Sequence, residues 1–231
     1  MDGSTHQDKR RIFEQHFLLK LLSACEIDAL ISYSRVERYP AGREIFAKGS
    51  PGRSMMAVLR GTVNISSLSP EGKKIVFNSV HPGEIFGEIA MLDGEERTAI
   101  ATAVEDCELL VLNRRDFMPL LEKHADMCIE LLKILCQRLR QTSEQVEDVL
   151  FRHLGARIAK ALAQLAKSTG GKDLRDAPVE LHLTQQDLAD IVGGTRESVN
   201  KHLNGLEKTG LIELGKSTIV IRRLAALERM V

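Results

Sequence analysis

The chain has 231 residues and a mass of 25.7 kDa, which is long for one compact domain and sufficient for two. Hydrophobic residues make up 43% and charged residues 28%, a composition that excludes a disordered chain. No apolar run approaches the roughly 18 residues of a membrane-spanning helix, and the polar N-terminus carries no secretion signal. We therefore expect a cytoplasmic protein without membrane contact, whose four cysteines are reduced thiols.

The formal net charge is zero, but the charges are divided unevenly along the chain. Residues 1–150 carry 19 Lys and Arg against 23 Asp and Glu, a net charge of −4. Residues 151–231 carry 13 against 9, a net charge of +4. A basic C-terminal part is compatible with binding to nucleic acid.

The N-terminal half changes from a helical to a β pattern. Residues 8–33 have apolar side chains at helical spacing. Beyond them, short apolar or alternating segments are separated by Gly, Pro, Ser and Asn, which predicts a β-barrel or jelly roll. The predicted strands include residues 45–46, 55–59, 62–65, 74–77 and 109–112.

Two helices follow the β region, a short one over Arg114–Leu121 and a long one over Ala125–Phe151. Along one side of the long helix, mostly apolar residues recur at alternating spacings of four and three residues. At 1.5 Å per residue this heptad seam is about 32 Å long. Charges on its flanks favour a coiled coil between two copies, and the alternative is a helix that lies on its own barrel. The seam consists of Cys128, Leu132, Leu135, Leu139, Thr142, Val146 and Val149.

The C-terminal part has the order of a winged helix. A helix over residues 152–168 is followed by a polar loop and a strand over residues 179–183. Thr184 then opens a helix with a capping box completed by Asp187. Gly193 and Gly194 allow a sharp turn before a second helix, which Thr195 caps. Residues 211–221 predict a two-stranded wing with Lys216 at its tip.

The second of these helices has a polar face near its N-terminus. At 100° per residue the face comprises Arg196, Glu197, Asn200 and Lys201, while Val199, Leu203 and Leu206 point inward. In a helix-turn-helix such positions reach base edges. Arg can contact guanine bidentately, Glu can accept from cytosine, and Asn can pair with adenine or a phosphate. The alternative is a small helical domain with a solvated charged face.

A candidate ligand segment lies inside the β region, at residues 87–99. A helical turn over residues 89–92 would present backbone N–H groups to an anion. Arg97 supplies a cation, Thr98 a hydroxyl, and Glu88 an acceptor for a ribose hydroxyl, which together suit a sugar phosphate. The alternative is a surface loop with a Glu88–Arg97 salt bridge.

Thr142 interrupts the apolar seam of the long helix, where an unpaired polar group lowers stability. It either sets the register of a coiled coil or binds the base of a ligand. Ser143 points off the seam, where it could reach a ligand held by a partner subunit.

Together these segments resemble the Crp/Fnr family of bacterial transcription regulators over roughly residues 12–222. The resemblance is most specific in residues 86–90 with 97–98, in residues 138–143 and in residues 183–221. It implies an α+β protein with an N-terminal β-roll (jelly-roll) domain for a cyclic nucleotide, a long dimerisation helix and a C-terminal winged helix-turn-helix. The corresponding segments are residues 1–124, 125–151 and 152–231.

The resemblance also implies roles for individual residues. Glu88 would bind the ribose 2′-hydroxyl, Arg97 and Thr98 the cyclic phosphate, and Thr142 the adenine amino edge. Arg138 matches an arginine near the Glu88 position, and Ser143 would contribute from the other protomer. The backbone around Gly87, Ile89 and Ala90 would complete the ligand site. DNA bases would be read by Arg196 and Glu197, and the DNA backbone would be contacted by Gln185, Thr195, Ser198 and Lys216.

The implied function is a homodimeric transcription regulator that binds cyclic AMP or cyclic GMP and, in response, palindromic promoter DNA, with RNA polymerase as a further partner. The alternative is the same kind of regulator with a different effector or none. No enzyme is predicted, because the seven histidines are scattered and no nucleophile–base pair is visible. The scattered histidines also argue against a metal site. Haem-binding relatives need a ligand histidine near the nucleotide segment, and His81 lies six residues before Gly87, so no haem is expected. Oxygen-sensing relatives hold an iron–sulfur cluster with several N-terminal cysteines, and here only Cys25 lies in that region, so no cluster is expected.

Three features depart from the best-matching family pattern. Asn200 replaces a glycine, and Lys201 replaces an arginine and so lacks a bidentate fork. The preferred DNA half-site is therefore expected to differ at one or two positions. The stretch from Glu88 to Arg97 is also one residue shorter.

Overall fold

The computed structural model describes residues 22–170 and 178–230. The first described helix, α1 (Ala24–Tyr33), buries Ile27, Leu30 and Ile31, as the helical spacing of residues 8–33 predicts. The part of that prediction before residue 22 lies outside the described residues. Contacts divide the chain into two units. The first comprises the described residues up to Ser67 together with Phe77–Arg140, and the second comprises Leu68–Val76 with the described residues from Gln141 onward.

The β region has eight strands: β1 (Arg35–Tyr39), β2 (Glu44–Phe46), β3 (Ser54–Arg60), β4 (Val63–Leu68), β5 (Lys74–Val80), β6 (Ile85–Phe86), β7 (Ile100–Ala103) and β8 (Cys107–Asn113). They form two four-stranded sheets with the strand orders β1-β8-β3-β6 and β2-β7-β4-β5. All five predicted strands are confirmed, and three further strands, β1, β6 and β7, were not predicted. A short helix, α2 (Glu88–Asp93), includes the predicted helical turn and lies between β6 and β7.

The central strands β3 and β8 are buried on both faces, which explains their continuous apolar runs. Because side chains alternate along a strand, Met55 and Ala57 of β3 join one hydrophobic core with α1. Met56 and Val58 point the other way into a second core between the sheets. Register pairs Met56 with Val111 of the antiparallel strand β8. One run of apolar residues therefore serves both cores.

Two helices follow β8, namely α3 (Arg114–Lys123) and α4 (Ala125–Phe151). The bounds predicted for α4 are confirmed, and α3 ends two residues later than predicted. Helix α4 buries Met127 and Leu131 against the first core. Cys128, the first member of the predicted seam, is half-buried against the same core and donates to the carbonyl of Leu121. Leu135 is half-buried, and the remaining seam residues are exposed: Leu132, Leu139, Thr142, Val146 and Val149.

The second unit has its own core, built by helices packed on a small sheet. The predicted strand over residues 179–183 is confirmed as β9 (Val179–His182), and the predicted wing as β10 (Ile212–Leu214) and β11 (Thr218–Ile221). The pairing of β9 with β11 was not predicted and makes the sheet three-stranded, in the order β10-β11-β9. Ser217, with φ of 63°, lies in the wing turn. Lys216 is exposed beside it. The elements are α5 (Leu154–Gly170), β9 (Val179–His182), α6 (Gln185–Val192), α7 (Arg196–Lys208), β10 (Ile212–Leu214), β11 (Thr218–Ile221) and α8 (Leu224–Glu228).

No helix within residues 22–170 or 178–230 has an apolar stretch long enough to cross a bilayer.

Candidate functional site

The candidate ligand site of the first unit is formed where β6 turns into α2. Gly87, which precedes α2, has a φ of 76°, a conformation that glycine adopts without strain. A Cβ atom at Gly87 would lie 2.6 Å from Nη1 of Arg97. The glycine therefore permits both the turn and the close approach of the arginine.

Glu88 is completely buried, and its carboxylate forms an ion pair with Arg138 of α4. The same guanidinium donates to the carbonyl of Ile85. The salt bridge between Glu88 and Arg97 that the sequence allowed is therefore not formed, and Arg138 takes the place of Arg97. Only one carboxylate oxygen of Glu88 is used, since Oε2 has no hydrogen-bond partner among the described residues. A buried acceptor without a donor is costly and fits a ligand hydroxyl.

Arg97 is also buried, with 4% of its surface exposed. Its Nη1 donates to the carbonyl of Gly87 at 2.7 Å, and its Nη2 donates to Oγ of Ser54 at 3.1 Å. The guanidinium carbon lies 4.2 Å from the centre of the Phe46 ring, a cation–π contact. These three contacts orient a cation whose Nε has no partner in the described part of the chain.

Burial lowers the pKa of the Arg97 guanidinium below its ordinary value, and the negative charge of Glu88 acts in the opposite direction. Burial has this effect because it removes the guanidinium from water and so penalises the charged form. Arginine remains charged at neutral pH even so. The site therefore holds a positive charge that an anionic ligand would stabilise.

These side chains line a cavity of about 50 Å³. Ligand pockets are usually larger than about 300 Å³, so a nucleotide requires lining side chains to move. The cavity brings together seven of the nine predicted ligand residues: Gly87, Glu88, Ile89, Ala90, Arg97, Thr98 and Arg138. Thr142 and Ser143 lie outside its lining, one turn beyond Arg138 on α4 and exposed.

Three residues of this site were not predicted from the sequence. Phe46 and Ile65 line the cavity, and Ser54 accepts from Arg97. They come from separate strands and have no local motif. Their proximity depends on strand pairing, and an alternating apolar pattern alone does not reveal it.

The candidate nucleic-acid interface of the second unit is built from α6 and α7. The predicted capping box at the start of α6 is confirmed: Thr184 Oγ1 accepts from the N–H of Asp187 at 3.1 Å, and Asp187 accepts from the N–H of Thr184 at 2.9 Å. Gly193, with φ of 64°, ends α6. Thr195 caps α7 by accepting from the N–H of Ser198 at 3.2 Å. These contacts hold the turn that separates the two helices.

Helix α7 has the predicted division into faces. Its inward side buries Val199, Leu203 and Leu206. Its outward side exposes Arg196, Glu197, Ser198 and Lys201 and leaves Asn200 half-buried. A groove of about 420 Å³ lies between the start of α6 and the wing, and its lining includes Thr184, Gln185, Arg196 and Lys216. Asn204, which lies one turn beyond Asn200 on α7 and was not singled out in the sequence, bonds to Asn200.

Among the described residues, no three His, Cys, Asp or Glu side chains are placed to hold a metal ion.

Two family models match the chain, one in each part. The model of the cyclic nucleotide-binding domain matches residues 36–124. The model of the Crp-like helix-turn-helix domain matches residues 156–230. The first range contains the cavity residues from strand β2 to Thr98, and the second contains the polar face of α7.

Curated relatives match over most of their length. The cyclic AMP receptor protein of Thermus thermophilus is 33% identical over 205 residues, which cover 89% of this chain and 92% of that protein. The CRP-like cAMP-activated global transcriptional regulator of Mycobacterium tuberculosis is 31% identical over 195 residues, covering 84% and 87%. Among solved structures, the c-di-GMP responsive global regulator CLP of Xanthomonas campestris superposes with a TM-score of 0.76 at 24% identity, covering 87% and 99%, and supports the fold.

Proposed function

Since the chain belongs to the Crp/Fnr family of transcription regulators, we propose that it is a homodimer that binds cyclic AMP in its first unit and, in response, palindromic promoter DNA through its second. The observation that carries the ligand proposal is the pair of buried, unpartnered polar atoms, Oε2 of Glu88 and Nε of Arg97. One is an acceptor and the other a cationic donor. Ribose and phosphate supply the matching hydroxyl and anion.

In the proposed complex, Glu88 accepts a hydrogen bond from the ribose 2′-hydroxyl. Arg97 and the hydroxyl of Thr98 bind the cyclic phosphate, and the backbone of Gly87, Ile89 and Ala90 completes the site. The cation–π contact with Phe46 and the hydrogen bond to Ser54 support this role, because they hold Arg97 in place before the ligand arrives. Thr142 then contacts the base, and Ser143 contributes from the other subunit.

The small cavity suggests how binding is coupled to α4. Arg138 belongs to α4, lines the cavity and pairs with the Glu88 carboxylate. A nucleotide that competes for Glu88 must displace or reposition Arg138, and so favours a different placement of α4. The ligand then acts by shifting a population between two arrangements, to an extent set by its differential affinity for them.

The exposed seam of α4 supports the homodimer. Leu132, Leu139, Val146 and Val149 are each more than half exposed at heptad positions, and such a stripe is typical of a coiled-coil interface. A twofold axis along α4 would place two copies of α7 about 34 Å apart, one turn of DNA. Arg196, Glu197, Asn200 and Lys201 would then read each half-site, with RNA polymerase as a further partner at the promoter.

One calorimetric series with full-length protein tests the ligand. Cyclic AMP, cyclic GMP and c-di-GMP are titrated separately, and binding to a promoter library is then measured with and without each. We expect cyclic AMP to bind and to strengthen DNA binding. The structural likeness to a c-di-GMP responsive regulator makes that dinucleotide the informative comparison. Response to c-di-GMP alone, or to none of the three, contradicts the cyclic AMP proposal.

For the dimer, Leu132→Glu is expected to convert the protein from twice 25.7 kDa to 25.7 kDa in sedimentation equilibrium. Burying an unpaired carboxylate costs several kcal/mol, which raises the dissociation constant by roughly a thousandfold or more. Gln141→Glu adds the same charge at an exposed position off the seam and should leave the dimer intact. A dimer that survives Leu132→Glu contradicts the α4 interface.

A further inference from the structure

Asn200 is held by two other amide side chains on the polar face of α7. Nε2 of Gln185, from the first turn of α6, donates to Oδ1 of Asn200 at 3.3 Å. Nδ2 of Asn204, one turn further along α7, donates to the same oxygen at 3.1 Å. The three side chains form a cluster that joins the two helices.

Within this cluster, Asn200 uses its amide oxygen for hydrogen bonds but not its amide nitrogen. An amide oxygen has two lone pairs and an amide nitrogen has two N–H donors. Both lone pairs of Asn200 are engaged, whereas its Nδ2 group donates to nothing in the described parts of the chain. The amide oxygen of Asn200 is therefore occupied, and its N–H₂ group remains available to a ligand.

The position of Asn200 places that donor among the proposed base-reading residues. At 100° per residue it lies 40° around α7 from Arg196 and 40° from Asn204. Arg196 is exposed, and Asn200, one turn further along α7, is half-buried. A group that is half-buried and held by two bonds loses little conformational entropy on binding, which is the condition for a precise contact.

We propose that Asn200 is a specificity-determining residue that reads guanine in the major groove, an inference that rests on the proposed DNA-binding function. Guanine presents two acceptors there, O6 and N7, which match an N–H₂ donor. Adenine presents one acceptor beside a donor, cytosine presents a donor, and thymine presents a single acceptor beside a methyl group, so only guanine offers two acceptors. The familiar bidentate pairing of asparagine with adenine requires the oxygen that Gln185 and Asn204 occupy.

Gln185 and Asn204 are then positioning residues, because they determine which end of the amide faces the DNA. Replacing the donor at position 204 by an acceptor should turn the amide over. Asn204→Asp does this with little change of shape: its carboxylate attracts the N–H₂ of Asn200 and presents Oδ1 to the bases. The preference at the same base pair should change from guanine to adenine or cytosine.

The test is selection of binding sites from a randomised palindrome by the full-length protein, with cyclic AMP present and absent. We expect the wild-type protein to enrich guanine about five- to tenfold over the other bases at one base pair of each half-site. Asn200→Ala should abolish the preference at that pair alone. Asn204→Asp should move it to adenine or cytosine, and Asn204→Ala, which adds no acceptor, should retain guanine because Gln185 still donates. Circular dichroism confirms that each variant is folded.

Each outcome has a defined meaning. Enrichment of an A·T rather than a G·C base pair by the wild-type protein at the position that Asn200→Ala affects overturns the proposal. So does an unchanged selection profile for Asn200→Ala or for Asn204→Asp. Failure of the wild-type protein to enrich any sequence, with or without nucleotide, overturns the DNA-binding function itself and is therefore distinguishable from failure of this inference.

Discussion

Arg97→Ala is expected to weaken cyclic AMP binding by about 30- to 150-fold while the protein remains folded. The change removes the buried cation that Phe46 and Ser54 hold in place. Hydrogen bonds from a charged donor contribute about 2–3 kcal/mol each. The substitution also removes a poorly solvated charge, so the free energy of unfolding should change far less than the binding free energy. Isothermal titration calorimetry with the full-length protein measures the loss.

Two further variants control this prediction. Arg53→Ala removes an exposed arginine of the same unit that does not line the cavity, and it should bind cyclic AMP as the wild-type protein does. Arg97→Lys keeps the charge but loses the planar fork, and should bind with intermediate affinity. If Arg97→Ala binds cyclic AMP and responds to it normally, the phosphate is held elsewhere and the assignment of the cavity is wrong.

Arg196→Ala should cause the largest loss of specific DNA binding, about 100-fold or more for a palindromic site. Arg196 is exposed at the first position of α7 and makes no side-chain hydrogen bond or ion pair within the described residues. One bidentate contact with guanine contributes about 1–3 kcal/mol, and a dimer loses two. Fluorescence anisotropy with specific and scrambled duplexes at fixed salt measures the loss.

The pattern of the loss distinguishes base reading from simple attraction to phosphate. Arg229→Ala removes an exposed arginine of the same charge near the end of the chain and should leave specificity intact. For Arg196→Ala, binding to the scrambled duplex should change little, because nonspecific affinity depends on the total number of phosphate contacts. An equal loss on both duplexes would contradict a role for Arg196 in reading bases.

The helices and turns of the second unit could be predicted because they depend on interactions between residues close in sequence. The capping residues Thr184 and Thr195 and the turn at Gly193 act within a few residues of sequence, so their roles follow from the chain itself. The buried positions of α7 follow from its period for the same reason. The strand β9 was predicted, but its pairing with β11 was not, because about 40 residues separate the paired positions and strand pairing at that distance leaves no local pattern.

In the first unit, the positions of the charges were predictable but their pairing was not. Glu88 and Arg97 were recognisable as a candidate site, yet charge pattern alone allowed them to pair with each other. In the folded chain Arg138, fifty residues further on, pairs with Glu88. Arg97 instead makes a cation–π contact with Phe46 and donates a hydrogen bond to Ser54. Strands β1 and β7 were not predicted. The sequence of β1 mixes charged and apolar residues, most side chains of β7 are small, and neither strand shows a clear alternation.

The amino-acid sequence alone determined the order of a β-roll, a long helix and a helix-turn-helix, since periodicity, turn residues and caps are properties of neighbouring residues. Tertiary structure decided which buried charges are paired, how small the ligand cavity is and which atom of the Asn200 amide is engaged by hydrogen bonds. Those properties depend on side chains brought together from distant segments. Their energies are set by burial and hydrogen-bond geometry, which exist only once the chain has folded.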